Sequence, residues 1–269
     1  MLKKLLVPLV IVLLVVPLAI FAVGCSSPSA EQIAKDSMRA SENIDTSHFV
    51  VSSSLQLPRA PIQNGKVSQQ EYTNDSSGDI NQKTGDLQVT QELASGVHVT
   101  ALQSGKKTYI QLAGTWYEAP QSFQVAAPVT QTLSISQYVK YFKTLTKLGD
   151  TKIDGEGCYH LQAVPDMKQL VKLPGITDLL KDPTTGKQIR TVDELADLKA
   201  VLDFYIRKKD SYMKRMSALV EVRAWEDLIK LGYAEAGDRV KDQQQTTLSK
   251  YNEKLNLEPP TNVKPWPAQ

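Results

Sequence analysis

Apolar and polar residues alternate with a period of two between His48 and Ala101, whereas the stretch just before them repeats with a period near 3.6. Ala30, Ile33, Ala34, Ser37, Ser41 and Ile44 fall on one narrow, weakly apolar stripe, which predicts a first helix ending near Asp45. Ser29-Ala30-Glu31-Gln32 opens it as a capping box, the serine hydroxyl accepting from an orphan amide and Gln32 reaching back. Phe49, Val51, Leu55 and Leu57 then alternate with more polar neighbours, as do Leu87, Val89 and Leu93, and again Val97, Val99 and Ala101. Asn64-Gly65, Ser77-Gly78, Thr84-Gly85, Ser95-Gly96, Ser104-Gly105 and Ala113-Gly114 punctuate these runs as turn dipeptides. The pattern predicts an antiparallel meander whose apolar face needs a cover.

The second half supplies candidate cover. From Ser136 onward, Ile135, Val139, Phe142 and Leu145 share a helical face. Residues 150–164 return to strand character, and 166–198 read as helical turns around Pro174-Gly175, Pro183 and Gly186, with a second capping box at Thr191-Val192-Asp193-Glu194. Strands over 201–207 and 212–222 flank the turn Lys208-Lys209-Asp210. A helical excursion over 225–236 precedes a last strand over 243–251, and the Pro-rich segment 259–267 forms neither helix nor central strand. The predicted class is α+β.

The N-terminal stretch changes the picture. Lys3 and Lys4 precede an uncharged, almost wholly apolar run over residues 5–23, long enough to span a bilayer. Pro8 and Pro17 interrupt that run, and it ends in Ala22-Val23-Gly24-Cys25, small residues before a cysteine as a cleavage site needs. Residues 1–24 are therefore read as a signal peptide, 25–29 as a lipidated Ser/Pro tether and 30–269 as one domain. Of 31 basic residues two leave with the signal, so 29 face 29 acidic ones and the mature chain is formally neutral. A neutral domain lacks the concentrated positive charge that nucleic acid requires. With Cys25 committed to lipid, Cys158 is alone and reads as a small buried apolar group.

Phe21-Ala22-Val23-Gly24-Cys25 resembles the lipobox of bacterial lipoproteins, with Ala22 where leucine is commoner. The resemblance implies diacylglycerol on Cys25 and a cell-membrane location on the extracytoplasmic side. Four further passages resemble the mycobacterial-type LppX/LprAFG lipoprotein family, within the LolA-like half-barrels. They are Ser77-Gly78-Asp79-Ile80; Gly105 to Ile110 with Gly114-Thr115-Trp116-Tyr117; Asp154 to Leu161; and Leu202 to Arg207 before Lys209-Asp210. The excursion at 225–236 is longer than the family pattern, and Arg207-Lys208 stands where Ile-Asp is usual. The resemblance implies a strongly curved antiparallel sheet, a half-barrel with helices on its concave face. Between the layers it implies an apolar cavity that holds an acylated lipid or glycolipid, possession of which is consistent with lipid transport.

Reactive chemistry is sparse. His48, His98 and His160 form no His-Glu-x-x-His pair, no nucleophile elbow or phosphate loop occurs, and no cofactor is expected. The expected function is a non-catalytic, membrane-anchored binding protein. Its candidate ligand-binding residues are Ile33, Phe49, Val51, Leu55, Leu87, Val89, Val97 and Val99, with Trp116 either at the cavity mouth or in the hairpin core. The first helix is poor in bulk, so an apolar gap is expected beneath it. Lys140, Lys143 and Lys147 share a helical side that either meets anionic headgroups or is simply solvated. The alternative function is an envelope interaction module with a filled core, its protein partner contacting the 225–236 excursion.

Overall fold

The structure is a computed structural model that describes residues 27–59, 70–92, 96–120, 139–170, 198–224 and 226–267. Helix α1 (Ala30–Ser41) begins where Ser29 Oγ accepts from Gln32 N at 3.2 Å. The reciprocal half of the predicted capping box is replaced: Gln32 Nε2 donates to Asp36 Oδ1 at 2.8 Å, one turn further along. Ala30, Ile33, Ala34 and Ser37 are the buried positions of α1, the stripe expected from their spacing.

One twelve-stranded sheet follows, in the order β12-β6-β5-β4-β3-β2-β1-β11-β10-β9-β8-β7. Its first meander comprises β1 (Thr46–Leu57), β2 (Gln70–Asn81), β3 (Leu87–Glu92), β4 (His98–Ser104), β5 (Lys107–Leu112) and β6 (Thr115–Glu118). The second comprises β7 (Phe142–Ile153), β8 (Glu156–Pro165), β9 (Lys199–Arg207), β10 (Met213–Arg223) and β11 (Arg239–Ser249). Antiparallel pairing of β1 with β11, from His48 opposite Ser249 to Gln56 opposite Lys241, joins the two meanders into one curved, open half-barrel. The β5–β6 and β7–β8 hairpins turn on Ala113-Gly114 (φ 47° and 79°) and Asp154-Gly155 (φ 50° and 81°), the double positive φ that matches the twist of the strands. Strand β12 (Val263–Pro265) pairs parallel with β6. Its Pro265 is tolerated because this is an edge.

Three sequence expectations are corrected. Of the helix expected from Ser136, residues 136–138 lie outside the described residues and Val139 is helical, but from Phe142 onward the chain is strand β7 instead. Pairing with β8 shifts register between Phe142 and Thr144, and that bulge places Phe142 and Leu145, three residues apart, against the same core. A strand bulge thus imitates helical spacing. Ser77-Gly78 is no turn: Gly78 is buried in the middle of β2, opposite Phe49 on one side and Val89 on the other. The last strand begins at Arg239, four residues before the alternation suggested. Asn64-Gly65, most of 166–198 and the N-terminal run with Cys25 lie outside the described residues.

Helix α2 (Met167–Leu170) is a single turn, and the excursion carries α3 (Glu226–Lys230). Two core clusters result. The larger holds α1 against Phe49, Val51, Ile80, Leu87, Leu161, Ala163, Phe204, Ile206, Met213 and Leu248. The smaller packs Leu57, Ala224, Ala234 and Val240 with Leu55, Val222, Leu228, Ile229 and Tyr233. Arg59 pins the excursion to β1 through Glu235 at 2.5 Å and the Tyr233 carbonyl at 3.0 Å.

Candidate functional site

Directly opposed residues in a ladder point to the same side of the sheet, so the register assigns faces. One row runs Leu161, Phe204, Met216, Thr246, Val51, Ser76, Gln91, Val99, Leu112 and Thr115, from β8 to β6. Because Phe204 and Val51 pack in the α1 cluster, this is the inner face. The next row, Leu248, Phe49, Gly78, Val89, Ala101, Ile110 and Tyr117, shares that side.

The structure therefore brings Ile33, Phe49, Val51, Leu87 and Val89 into one cluster. Within it Ile33, Phe49, Val51 and Leu87 are enclosed by protein, whereas Val89 is only half-buried at its border. Val99 lies half-buried on the same face, and Leu55 borders the smaller cluster. Two residues are corrections. Val97 precedes β4 and is 45% exposed. Trp116 occupies the register row of Gln111, Thr100, Thr90, Ser77 and Val50, hence the outer face, because its position in β6 has the opposite parity to Thr115 and Tyr117. There it lines an open depression of about 530 Å³ with Gln111, Gly114, Thr115, Pro260, Thr261, Asn262 and Lys264. Trp116, which the sequence left open between the cavity mouth and the hairpin core, thus belongs to the other surface.

Among the described residues, part of the inner face belongs to neither cluster. With Leu55 at the border of the smaller cluster, it consists of Ala200, Ala218 and Val220 on one side and Val99, Ala101, Leu112 and Tyr117 on the other, all half-buried. Polar groups interleave with them. Ser53 Oγ donates to the Asn74 carbonyl at 3.1 Å, and Gln91 Nε2 donates to Asn74 Oδ1 at 2.9 Å. Asp242 stands between Leu55 and Val220 in the register. Solvent reaches it, yet the surrounding walls desolvate its carboxyl and push its pKa up, as befits the floor of a concave surface. Asp242 escaped the sequence reading because the strand was begun at 243, one residue after it. The alternation Val240, Asp242, Gln244, Thr246, Leu248, apolar at both ends and polar between, was the available signal.

On the outer face each described histidine–carboxylate pair crosses a ladder. His48 Nδ1 meets Asp79 Oδ1 at 2.8 Å. His160 Nε2 meets Asp203 Oδ1 at 2.8 Å while its ring stacks on Tyr205 at 4.5 Å. Cys158 is fully buried, and that burial, with Glu156 nearby, pushes its thiol pKa up and away from reactivity. Among the described residues no helix is long and apolar enough to cross a membrane.

This twelve-stranded open half-barrel, with a helix and an excursion on its inner face, shares its fold with two solved lipoproteins. The lipoprotein LppX of Mycobacterium tuberculosis is similar to this chain with a TM-score of 0.51 at 13% identity, over 87% of this chain and 100% of LppX. LprF of Mycobacterium bovis is similar with a TM-score of 0.51 at 16% identity, over 88% of this chain and 99% of LprF. At these identities the likeness is one of fold. The chain matches no protein-family model and no curated sequence.

Proposed function

We propose that this protein is a non-catalytic envelope lipoprotein, anchored through diacylglycerol on Cys25, that shelters the acyl chains of a lipid or glycolipid on the inner face of its sheet. The observation that carries the proposal is the apolar run of the inner face outside the two core clusters. Val99, Ala101, Leu112 and Val220 are apolar and half-buried there, with Leu55 at the border of the smaller cluster. An acyl chain laid there gains about 0.8 kcal/mol per methylene removed from water. Asp242, Asn74 and Gln91 supply polar groups to meet a headgroup or ester. The lipobox-like Phe21-Ala22-Val23-Gly24-Cys25 and the fold shared with lipoproteins support the anchor.

The test uses the mature chain, residues 25–269, purified without detergent, extracted with organic solvent and analysed by mass spectrometry beside a mock preparation. A near-stoichiometric lipid is expected. Val89→Arg, at the border of the larger core, is expected to abolish loading while far-UV circular dichroism stays unchanged. A clean extract, with intact protein refusing added lipids, overturns the proposal in favour of the interaction module. That second reading rests on Leu231, 64% exposed at the end of α3.

A further inference from the structure

The charge of this formally neutral mature chain is segregated by topology. The described residues of 139–170 and 198–224, which build β7 to β10, carry twelve Lys and Arg against seven Asp and Glu. Those of 27–59, 70–92 and 96–120, which build α1 and β1 to β6, carry six against ten. Because the two meanders occupy opposite halves of one sheet, this difference in sequence becomes a dipole across the molecule, basic at the β7 edge and acidic across the first meander.

The start of the described chain lies against the basic edge. Ser27 Oγ accepts from Lys147 Nζ, on β7. Cys25 precedes Ser27 by two residues, at most about 7 Å of extended chain. Around that point Lys147 and Lys208 sit over the Tyr159 ring at 4.8 and 5.1 Å and share Asp150. Lys143 and Lys152 extend from the same strand into solvent, and Leu148, beside the second bulge, is 51% exposed. Lysines on an edge strand discourage strand addition. Here they also surround the point where the tether leaves the fold, beside an exposed leucine and a tyrosine.

We propose that the β7 edge, with the Lys208-Lys209 turn, is the face on which this protein rests against an anionic bilayer. The orientation rests on the Cys25 anchor reading: a chain held two residues from Lys147 has little choice about which edge it lowers to the headgroups. The basic side then meets the anionic surface, and the acidic first meander is held away from it. The exposed Leu148 reaches the interfacial layer.

The experiment is co-sedimentation of the unacylated chain 25–269 with phosphatidylcholine vesicles and with vesicles in which a third of the lipid is phosphatidylglycerol. Binding only to the anionic vesicles, weakening as salt is raised, is expected. Lys143→Gln with Lys152→Gln is expected to reduce it by about 25-fold, at roughly 5-fold for each lysine removed from the surface. Lys106→Gln with Lys264→Gln, an equal charge change at the far side of the sheet, is expected to leave it unchanged. Equal binding to both vesicle types, or equal losses in both double variants, overturns the proposal. Mass spectrometry of the membrane-extracted protein separates the two readings. Cys25 free of lipid with vesicle binding intact removes the anchor and leaves the surface, whereas acylated Cys25 without vesicle binding removes the surface alone.

Discussion

Gly78→Ala tests whether the inner face is closed as tightly as the packing around Phe49 requires. A Cβ at Gly78 falls 2.0 Å from the Gln88 carbonyl oxygen, 3.0 Å from its carbon and 2.6 Å from Phe49 Cζ. The ring can swing aside, at the cost of its place in the α1 cluster. The carbonyl cannot, because Gln88 belongs to β3, whose ladder with β2 runs from Ser76–Gln91 to Ile80–Leu87. Relief requires the two strands to part at their centre. Overpacking of a well-filled core costs about 1–3 kcal/mol when side chains yield, and a backbone clash puts this case at the top of that range or beyond it, about 3 kcal/mol or more. For a chain of this size that lowers the melting temperature by roughly 6–12 °C. The comparison is Gly85→Ala: Gly85 has φ 76° with nothing within 4 Å of the added Cβ, so only backbone strain of about 1–2 kcal/mol applies. Thermal melts of both variants by circular dichroism, with Phe49→Leu added to Gly78→Ala, separate the terms. The smaller residue at 49 is expected to recover only part of the loss. A Gly78→Ala protein no less stable than Gly85→Ala refutes the close approach of β3 and of the Phe49 ring over β2.

Two pH experiments probe opposite signs. Burial alone raises the Asp242 pKa, so its ionised form destabilises the fold above the folded-state value, and the cost fades as pH falls to the ordinary aspartate range. Asp242→Asn should therefore raise the melting temperature at pH 7 by an increment that vanishes in acid; an unchanged or lowered value at pH 7 contradicts an unpaired carboxyl in the concave floor. Glu156 is the reverse case, held down from 4.5 to about 2 by a hydrogen bond from Lys209 at 2.6 Å, with the Arg207 charge and a Lys214 contact beside it. Its contribution is full above about pH 4.5 and is lost on the way down to about 2, so wild type and Glu156→Gln melts should differ at pH 7 and converge across that interval.

Most of the sheet was legible because period two survives wherever strands are regular: β1, β3 and β4 follow their alternation within a residue or two, and α1 follows its stripe. The misreadings share one physical origin, which is that local spacing does not record what lies across a ladder. The spacing of Phe142 and Leu145 is helical, but a bulge in β7 between them resets the strand's parity and gives the same facing within a strand. Ser77-Gly78 has the composition of a turn, yet glycine is there because the Phe49 ring and the Gln88 carbonyl occupy the space of a side chain. Trp116 was left between the cavity mouth and the hairpin core, whereas one residue of register sends it to the outer face. Segment 263–265 lacks any strand pattern; it is held by parallel pairing with β6 and by Trp266, whose ring meets Tyr117 edge-on at 6.2 Å.

The small residues of α1 make the same point about the ligand. Poverty of bulk in Ala30, Ala34 and Ser37 suggested a gap beneath the helix, yet all three are buried against a sheet surface carrying Phe49, Leu161 and Phe204. Small side chains on a helix permit close approach, and the large residues opposite fill the space. Room for an acyl chain therefore does not arise from what α1 lacks. On the proposed reading it lies at Leu55, Asp242 and Val220, between α1 and the α3 excursion, with the surface of β3 to β6 beyond. A ligand in that proposed position would touch both meanders, and its polar part would meet Asn74, Gln91 and Asp242 where the two halves of the sheet join. Selection on the ligand would then act on residues near the β1–β11 seam rather than on the helix, which makes the even-numbered polar positions of β11 the place to look for what this protein binds.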